Sequence, residues 1–249
     1  MAEAERWVWL GGSLFLAIAT TQVSWRLWQR EGSRARLEPF VVSAPFPILQ
    51  QLARWLYYIG LPFAALVWGR DALVGRLLGL QPLTSPIDML PNWTDWAIDL
   101  GWAVGLAMAA WTILAMGWWT VRRAGARPHP AGTHTSAWRL LGEAALHETH
   151  WAFYRNGPAV VLGVYWGAWA GLGLVALEAA LNPWWRADLR DETRLPAGLV
   201  RVGLAMLSVI IYLQTMNLWM AILAHWGITW GLAIWARASA PKSWLDHTH

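Results

Sequence analysis

Long apolar stretches alternate along the chain with short polar ones, and the apolar stretches predict the fold. Seven of them, 7–25, 52–68, 96–119, 137–155, 159–181, 197–213 and 218–235, approach the ~20 residues a helix needs to cross a ~30 Å hydrocarbon layer. In lipid the backbone must satisfy its own hydrogen bonds, so each stretch is expected to be a helix. The predicted fold is all-α, a polytopic transmembrane helical bundle of about seven spans forming one integral membrane domain over 1–249. Residues 1–136 supply the N-terminal spans and loops, 137–237 a core and 238–249 a polar tail. The fourth stretch is the most polar. Its separation from the fifth rests on Asn156-Gly157-Pro158, which reads as a helix stop and restart.

The polar stretches are asymmetric in charge. Arg26, Arg30, Arg34 and Arg36 follow the first apolar segment, Arg122, Arg123 and Arg127 the third, and Arg237 and Lys242 the last. The positive-inside rule puts all three groups in the cytoplasm, with the amino terminus out and the carboxyl terminus in, as an odd number of crossings allows. Residues 71–80 have the spacing of an interfacial amphipathic helix, and Pro82, Pro86 and Pro91 break the stretch after it. Thr94 or Asp95 is expected to cap the third span. The segment 184–196, with balanced arginines and acids, is expected to be a self-pairing loop. Glu3 and Glu5 beside Arg6 do not form the positive leader of a signal peptide, so the first span is expected to be retained.

Composition agrees with a membrane setting: 57% of the 249 residues are hydrophobic, 14% are charged and 23 are Trp. Many tryptophans fall at predicted helix ends, where indole favours the headgroup boundary. The absence of cysteine excludes disulfides, thiolate nucleophiles and Cys-ligated zinc. The net charge is +4, but its basic residues adjoin apolar segments and so suit anionic lipid rather than nucleic acid. The expected partners are the lipid bilayer and a membrane peptide or protein substrate or other membrane subunits. The expected location is the bacterial cytoplasmic membrane.

Ionisable residues inside membrane helices are costly and mark function by default. They concentrate in Glu143-Ala-Ala-Leu-His147-Glu148-Thr-His150-Trp-Ala-Phe-Tyr-Arg155, with His225 in the last span. At ~100° per residue, Glu143, His147 and His150 share one helix stripe and Glu148 and Arg155 another. The i,i+4 and i,i+3 spacings let the first three meet, share a proton or hold a divalent metal such as zinc. With helix ends at Gly157 and Met216, Glu148 and His225 each fall ~13 Å below an outer end, where they can meet. Trp166 and Trp169 are expected in that layer, and Trp151, Trp226 and Thr229 beside them, as walls of a substrate cavity. Glu178 is expected near the cytoplasmic end, against loop arginines.

The run from His147 to Arg155, together with Tyr212-Leu-Gln-Thr-Met-Asn-Leu-Trp219 and His225-Trp-Gly-Ile-Thr229, resembles the motifs of the CPBP family of intramembrane proteases, which includes the type II CAAX prenyl endopeptidases. The resemblance covers about 137–237. It implies hydrolysis of a peptide bond in or beside the membrane by water activated by glutamate and histidine. Glu148 then matches the second glutamate of the family's pair, Arg155 its arginine and His225 its third-motif histidine. His147 stands in the slot of the first glutamate, the Phe-x-x-x-His motif is absent, and Thr229 replaces the closing Asn or Asp. On that reading Glu148 is base or ligand, His150, His147 and His225 position water or metal, and Arg155 lends electrostatic support. Two other classes compete. Ala221 one turn before His225, with Trp226, Trp230 and Trp235 nearby, resembles a tetrapyrrole-ligating helix, with haem between His150 and His225 as a variant. The third is a non-catalytic accessory subunit or pseudoenzyme.

Overall fold

The computed structural model describes residues 2–68, 92–123 and 136–238, and among them every element is helical. In chain order these are α1 (Ala2–Gln29), α2 (Glu31–Val41), α3 (Phe46–Trp55), a π turn (Leu56–Gly60), α4 (Leu61–Trp68), α5 (Trp93–Arg123), α6 (Ala137–Leu181), α7 (Pro183–Arg190), α8 (Leu195–Thr215) and α9 (Leu218–Ala238). Five helical stretches, Trp7–Gln29, Trp93–Arg123, Ala137–Leu181, Leu195–Thr215 and Leu218–Ala238, are long and apolar enough to cross a membrane. The described residues are thus all-helical, and their apolar helices are those of an integral membrane protein. The expected features at 71–80 and at Pro82, Pro86 and Pro91, together with Arg127 and Lys242, lie outside the described residues.

The longest stretch, α6, is a hairpin of two arms. Gly163 takes φ 77° and ψ 165°, backbone that is essentially restricted to glycine, and the chain reverses there. A Cβ on Gly171 would lie 2.6 Å from Arg155 Cα, and one on Gly167 would collide with Ala159. Glycines spaced by four thus let the arms approach backbone to backbone, as small residues do between membrane helices. The sequence places the break at Asn156-Gly157-Pro158 instead. That expectation is wrong because Pro158 is carried inside the first arm, and Gly157 serves a different purpose: a Cβ there would run into Leu10 of α1. A Gly-Pro pair is tolerated within a membrane helix when neighbouring groups re-satisfy the backbone.

Two further expectations change. Residues 183–190 form the amphipathic helix α7 rather than a loop, while Arg194 and Asp191 pair at 3.5 Å beyond it. The third span begins at Trp93, ahead of Thr94 and Asp95, and the Asn92 amide just before it donates to Asp95 at 2.5 Å.

The chain divides into two compact units whose boundary falls within α6. One unit holds α1 to α4, α6 from Leu146 onward, and α7. In it Gln22 donates to the Leu181 carbonyl at 2.8 Å, and the Trp184 indole donates to Ser24 at 3.1 Å and packs edge-on against Trp25. The other unit holds α5, residues 137–145, α8 and α9. Here a Cβ on Gly231 would press on the Trp111 indole at 2.8 Å, so α9 fits against α5 only through a missing side chain. The α8–α9 turn is tight. Met216 adopts φ 49°, and Asn217, fully buried, accepts from the Trp219 N–H at 3.1 Å and donates to Asp99 at 3.1 Å.

Candidate functional site

A connected polar cluster lies in the first unit, where four helical segments contribute five residues: Ser13 from α1, Tyr57 from the π turn, His150 and Tyr154 from the first arm of α6, and Glu178 from the second. His150 Nε2 stands 3.0 Å from Glu178 Oε2. The hairpin makes this pairing, because a reversal at Gly163 sets 150 opposite the last turns of the second arm. A break at Gly157 would have set it opposite residues near 164, which is why Glu178 was expected elsewhere.

The π turn explains the tyrosines. Its Leu61 N–H reaches back to Leu56 O, and the wider turn brings consecutive residues, which an ordinary helix splays by ~100°, round to one ring. Tyr57 and Tyr58 centroids lie 5.0 and 4.9 Å from the His150 imidazole, and Tyr154 closes a third side at 4.4 Å. The imidazole is thereby 2% exposed.

The hydroxyl geometry has a direction. Tyr57 Oη is 3.4 Å from Glu178 Oε2, 3.3 Å from Tyr154 Oη and 3.3 Å from Ser13 Oγ, while Ser13 and Tyr154 are 3.4 Å apart. A phenol has one proton to give. Given to the carboxylate, the strongest acceptor present, it leaves Tyr57 accepting from Ser13 or Tyr154, so the chain points at Glu178.

The same reasoning fixes His150. An ionised carboxylate only accepts, so Nε2 carries a proton toward Glu178, and in the neutral ring Nδ1 holds the lone pair. Nδ1 is buried and has no hydrogen-bond partner among the described residues. A buried acceptor left open beside an oriented, carboxylate-held donor is a natural seat for a proton from water or a hydroxyl, since such a group needs a partner.

The other predicted site residues are placed as follows. His147, half-buried, lies between the Tyr58 ring at 5.5 Å and Trp151 at 5.7 Å, on the same stripe as His150. Glu148 and Arg155 lie on the other stripe and are both buried. Glu143 belongs to the second unit, as does buried His225. In that unit Thr229 spends its hydroxyl on the His225 and Trp226 carbonyls, at 2.9 and 3.0 Å. Trp226 donates to the Ala137 carbonyl at 2.9 Å and stacks on Trp230, which gives its ring a packing role. Trp166 is 66% exposed and sits three residues from the hairpin tip, far from the layer of Glu148, so it does not wall a cavity there. Trp169 is half-buried on the second arm. The expected ligand set Glu143, His147, Glu148, His150 and His225 is divided between the two units, and among the described residues no three or more His, Asp or Glu side chains converge to hold a metal ion. His150 instead spends one nitrogen on Glu178.

Sequence reasoning passed over Ser13, Tyr57, Tyr58 and Tyr154 and gave Glu178 loop arginines as partners rather than His150. The available signal was Glu178 itself, an acid within an otherwise apolar helix. No protein-family model, curated protein or solved structure matches the chain.

Proposed function

We propose that this chain is a membrane-embedded hydrolase in which His150, oriented by Glu178, takes a proton from water. The observation that carries this reading is the 3.0 Å His150–Glu178 contact in a ring of tyrosines, with Nδ1 buried and open. A carboxylate that holds one imidazole nitrogen fixes the orientation of the ring and leaves the other nitrogen to meet a water, the arrangement a water-activating base needs. The substrate class, a peptide bond of a membrane peptide or protein, follows from the motif resemblance at 147–155 and 212–229. Within that reading Glu148, His147 and Arg155, which lie in the same unit as His150, contribute to substrate or charge stabilisation.

The topology proposed with it has seven crossings. They are α1, the continuous helical run from Phe46 to Trp68, α5, the two arms of α6, α8 and α9, with the basic clusters at 26–36 and 122–127 in the cytoplasm of a bacterial cell. Support comes from the hairpin, which turns one apolar stretch into two antiparallel arms.

The test is peptide hydrolysis in proteoliposomes. His150→Ala is expected to lower the rate by about 10²–10⁴-fold, the usual contribution of a positioned base. Glu148→Ala and His225→Ala measure the remaining motif residues. A wild-type protein that cleaves nothing across a broad peptide panel overturns the hydrolase reading.

A further inference from the structure

Glu178 is more open to the outside than the imidazole it holds. Its side chain is 20% exposed, against 3% for His150. It also lies close to a membrane boundary. Three residues on, the Leu181 carbonyl accepts from Gln22, and beyond it Trp184 packs against Trp25 at 4.8 Å and Trp28 at 6.5 Å, with the Arg34 guanidinium 5.2 Å over Trp28. Indole rings flanked by arginine mark the headgroup level. Three residues of helix rise only ~4.5 Å, so the carboxylate sits about one turn inside that level.

The groups around it are those a proton carrier needs. His150 and Tyr154 reach it from the first arm and Tyr57 from the π turn, with Ser13 of α1 behind the two tyrosines. Tyr58 and His147 pack on the far side of the imidazole, and Arg54 lies 5.9 Å over the Tyr58 ring.

We propose that Glu178 is the proton port of the buried imidazole, holding His150 in the Nε2–H tautomer and exchanging its proton with water at the Trp25–Trp28–Trp184 boundary. This rests on the reading of His150 as base. When water gives a proton to Nδ1, an Nδ1–H bond forms and the ring becomes imidazolium. The Nε2–H bond then breaks, its proton passes to Glu178 Oε2 and the ring is neutral again. Glu178 returns that proton to Nε2 as the Nδ1 proton leaves for the departing group, or first gives it to interfacial water and takes another back before that return. Each proton taken up is matched by one released. Glu178 is therefore a positioning residue and carrier, and the face that exchanges protons with the site is the arginine-rich one.

The experiment is ¹⁵N-histidine NMR of the full-length protein in lipid nanodiscs, with His150 identified by the signals lost in His150→Asn. Wild type is expected to show a bare Nδ1 and a protonated Nε2. In Glu178→Gln, whose amide both donates and accepts, the single tautomer gives way to a mixture and solvent exchange of the ring proton slows by about 10²-fold. Glu178→Asp, which keeps a carboxylate, restores the single tautomer. An unchanged tautomer and exchange rate in Glu178→Gln overturns the port. So does loss of the folded spectrum in both variants, which makes Glu178 a structural brace. The two readings fail separately. A wild type inactive on peptides but with the expected tautomer pattern sinks the hydrolase and leaves the port. Active wild type with an unaltered pH–rate profile in Glu178→Gln sinks the port alone.

Discussion

Glu178 Oε2 meets His150 Nε2 at 3.0 Å across 28 residues of chain, and Gly163 makes the meeting possible. Arg155 and Gly171 are equally distant from Gly163 in sequence and touch, as do Ala159 and Gly167. The register of the two arms is thus set by one reversal and two glycine contacts. The His–Glu pair follows from that register.

The glycines of the second arm should differ sharply in tolerance. Gly171→Ala places a methyl 2.6 Å from Arg155 Cα and 2.8 Å from its nitrogen, backbone atoms that cannot swing away, whereas nothing lies within 4 Å of a Cβ on Gly173. Gly171→Ala is expected to destabilise by about 1–3 kcal/mol, as overpacking does. Gly173→Ala is expected to be neutral or to stabilise by up to about 1 kcal/mol through helix propensity. Thermal unfolding in detergent checks both. Equal melting temperatures would mean the arms are not in close contact.

Removing the hydroxyls should separate the members of the network. Tyr57→Phe takes away the phenol that contacts Glu178, Tyr154 and Ser13 together, while Tyr154→Phe removes two contacts from the far end. Hydrogen bonds between membrane helices average about 0.6 kcal/mol, so each variant is expected to lose roughly 0.5–2 kcal/mol. The double variant should lose less than the sum, because both act on one network. Strict additivity in a double-mutant cycle would show that the phenols act independently.

Most of the helical architecture was legible because lipid imposes a strict rule: an apolar run of sufficient length must satisfy its own backbone. The stripe analysis of 143–155 likewise placed His147 and His150 together and apart from Glu148 and Arg155, since helical periodicity is local. The hairpin was harder to read. Gly157-Pro158 and Gly163 are both plausible reversals in sequence, and only the Leu10 contact to Gly157 and the positive φ of Gly163 distinguish them. Misplacing the reversal by six residues changed the expected partner of Glu178 from His150 to loop arginines. The tyrosines were illegible for a related reason, since a π turn leaves no periodicity signature over five residues.

The loop that starts α8 carries its own pH dependence. Asp191 lies outside the spans, and the Thr193 hydroxyl and N–H donate to its carboxylate at 2.7 and 2.9 Å, holding its pKa below the ordinary carboxylate range. A carboxyl whose folded pKa is depressed stabilises fully above its unfolded pKa, and that contribution is lost as pH falls through the folded value. The turn is therefore expected to loosen only at strongly acidic pH, below the usual titration of aspartate. Asp191→Asn should remove this acid limb without altering behaviour at neutral pH. Hydrogen exchange of the Thr193 and Leu195 amides against pH provides the measurement, and an acid limb that persists in Asp191→Asn would assign the transition to another group.

The α8–α9 turn makes the last prediction. Asn217 is fully buried and acts twice, its carbonyl taking the Trp219 N–H at the start of α9 and its amide donating to Asp99 of α5. Asn217→Ala removes a helix cap, typically worth about 1 kcal/mol, and also strips a partly buried carboxylate of a donor, which costs a further ~1–3 kcal/mol. Asn217→Asp keeps an acceptor for Trp219 but sets a second carboxylate against Asp99, where like charges repel. Thermal unfolding should therefore rank wild type first and both variants well below it. Adding Asp99→Asn should recover much of the loss in Asn217→Asp, because the neutral amide removes the repulsion and can donate to the new acid. If Asp99→Asn fails to rescue, the 3.1 Å contact contributes nothing to the stability of the turn.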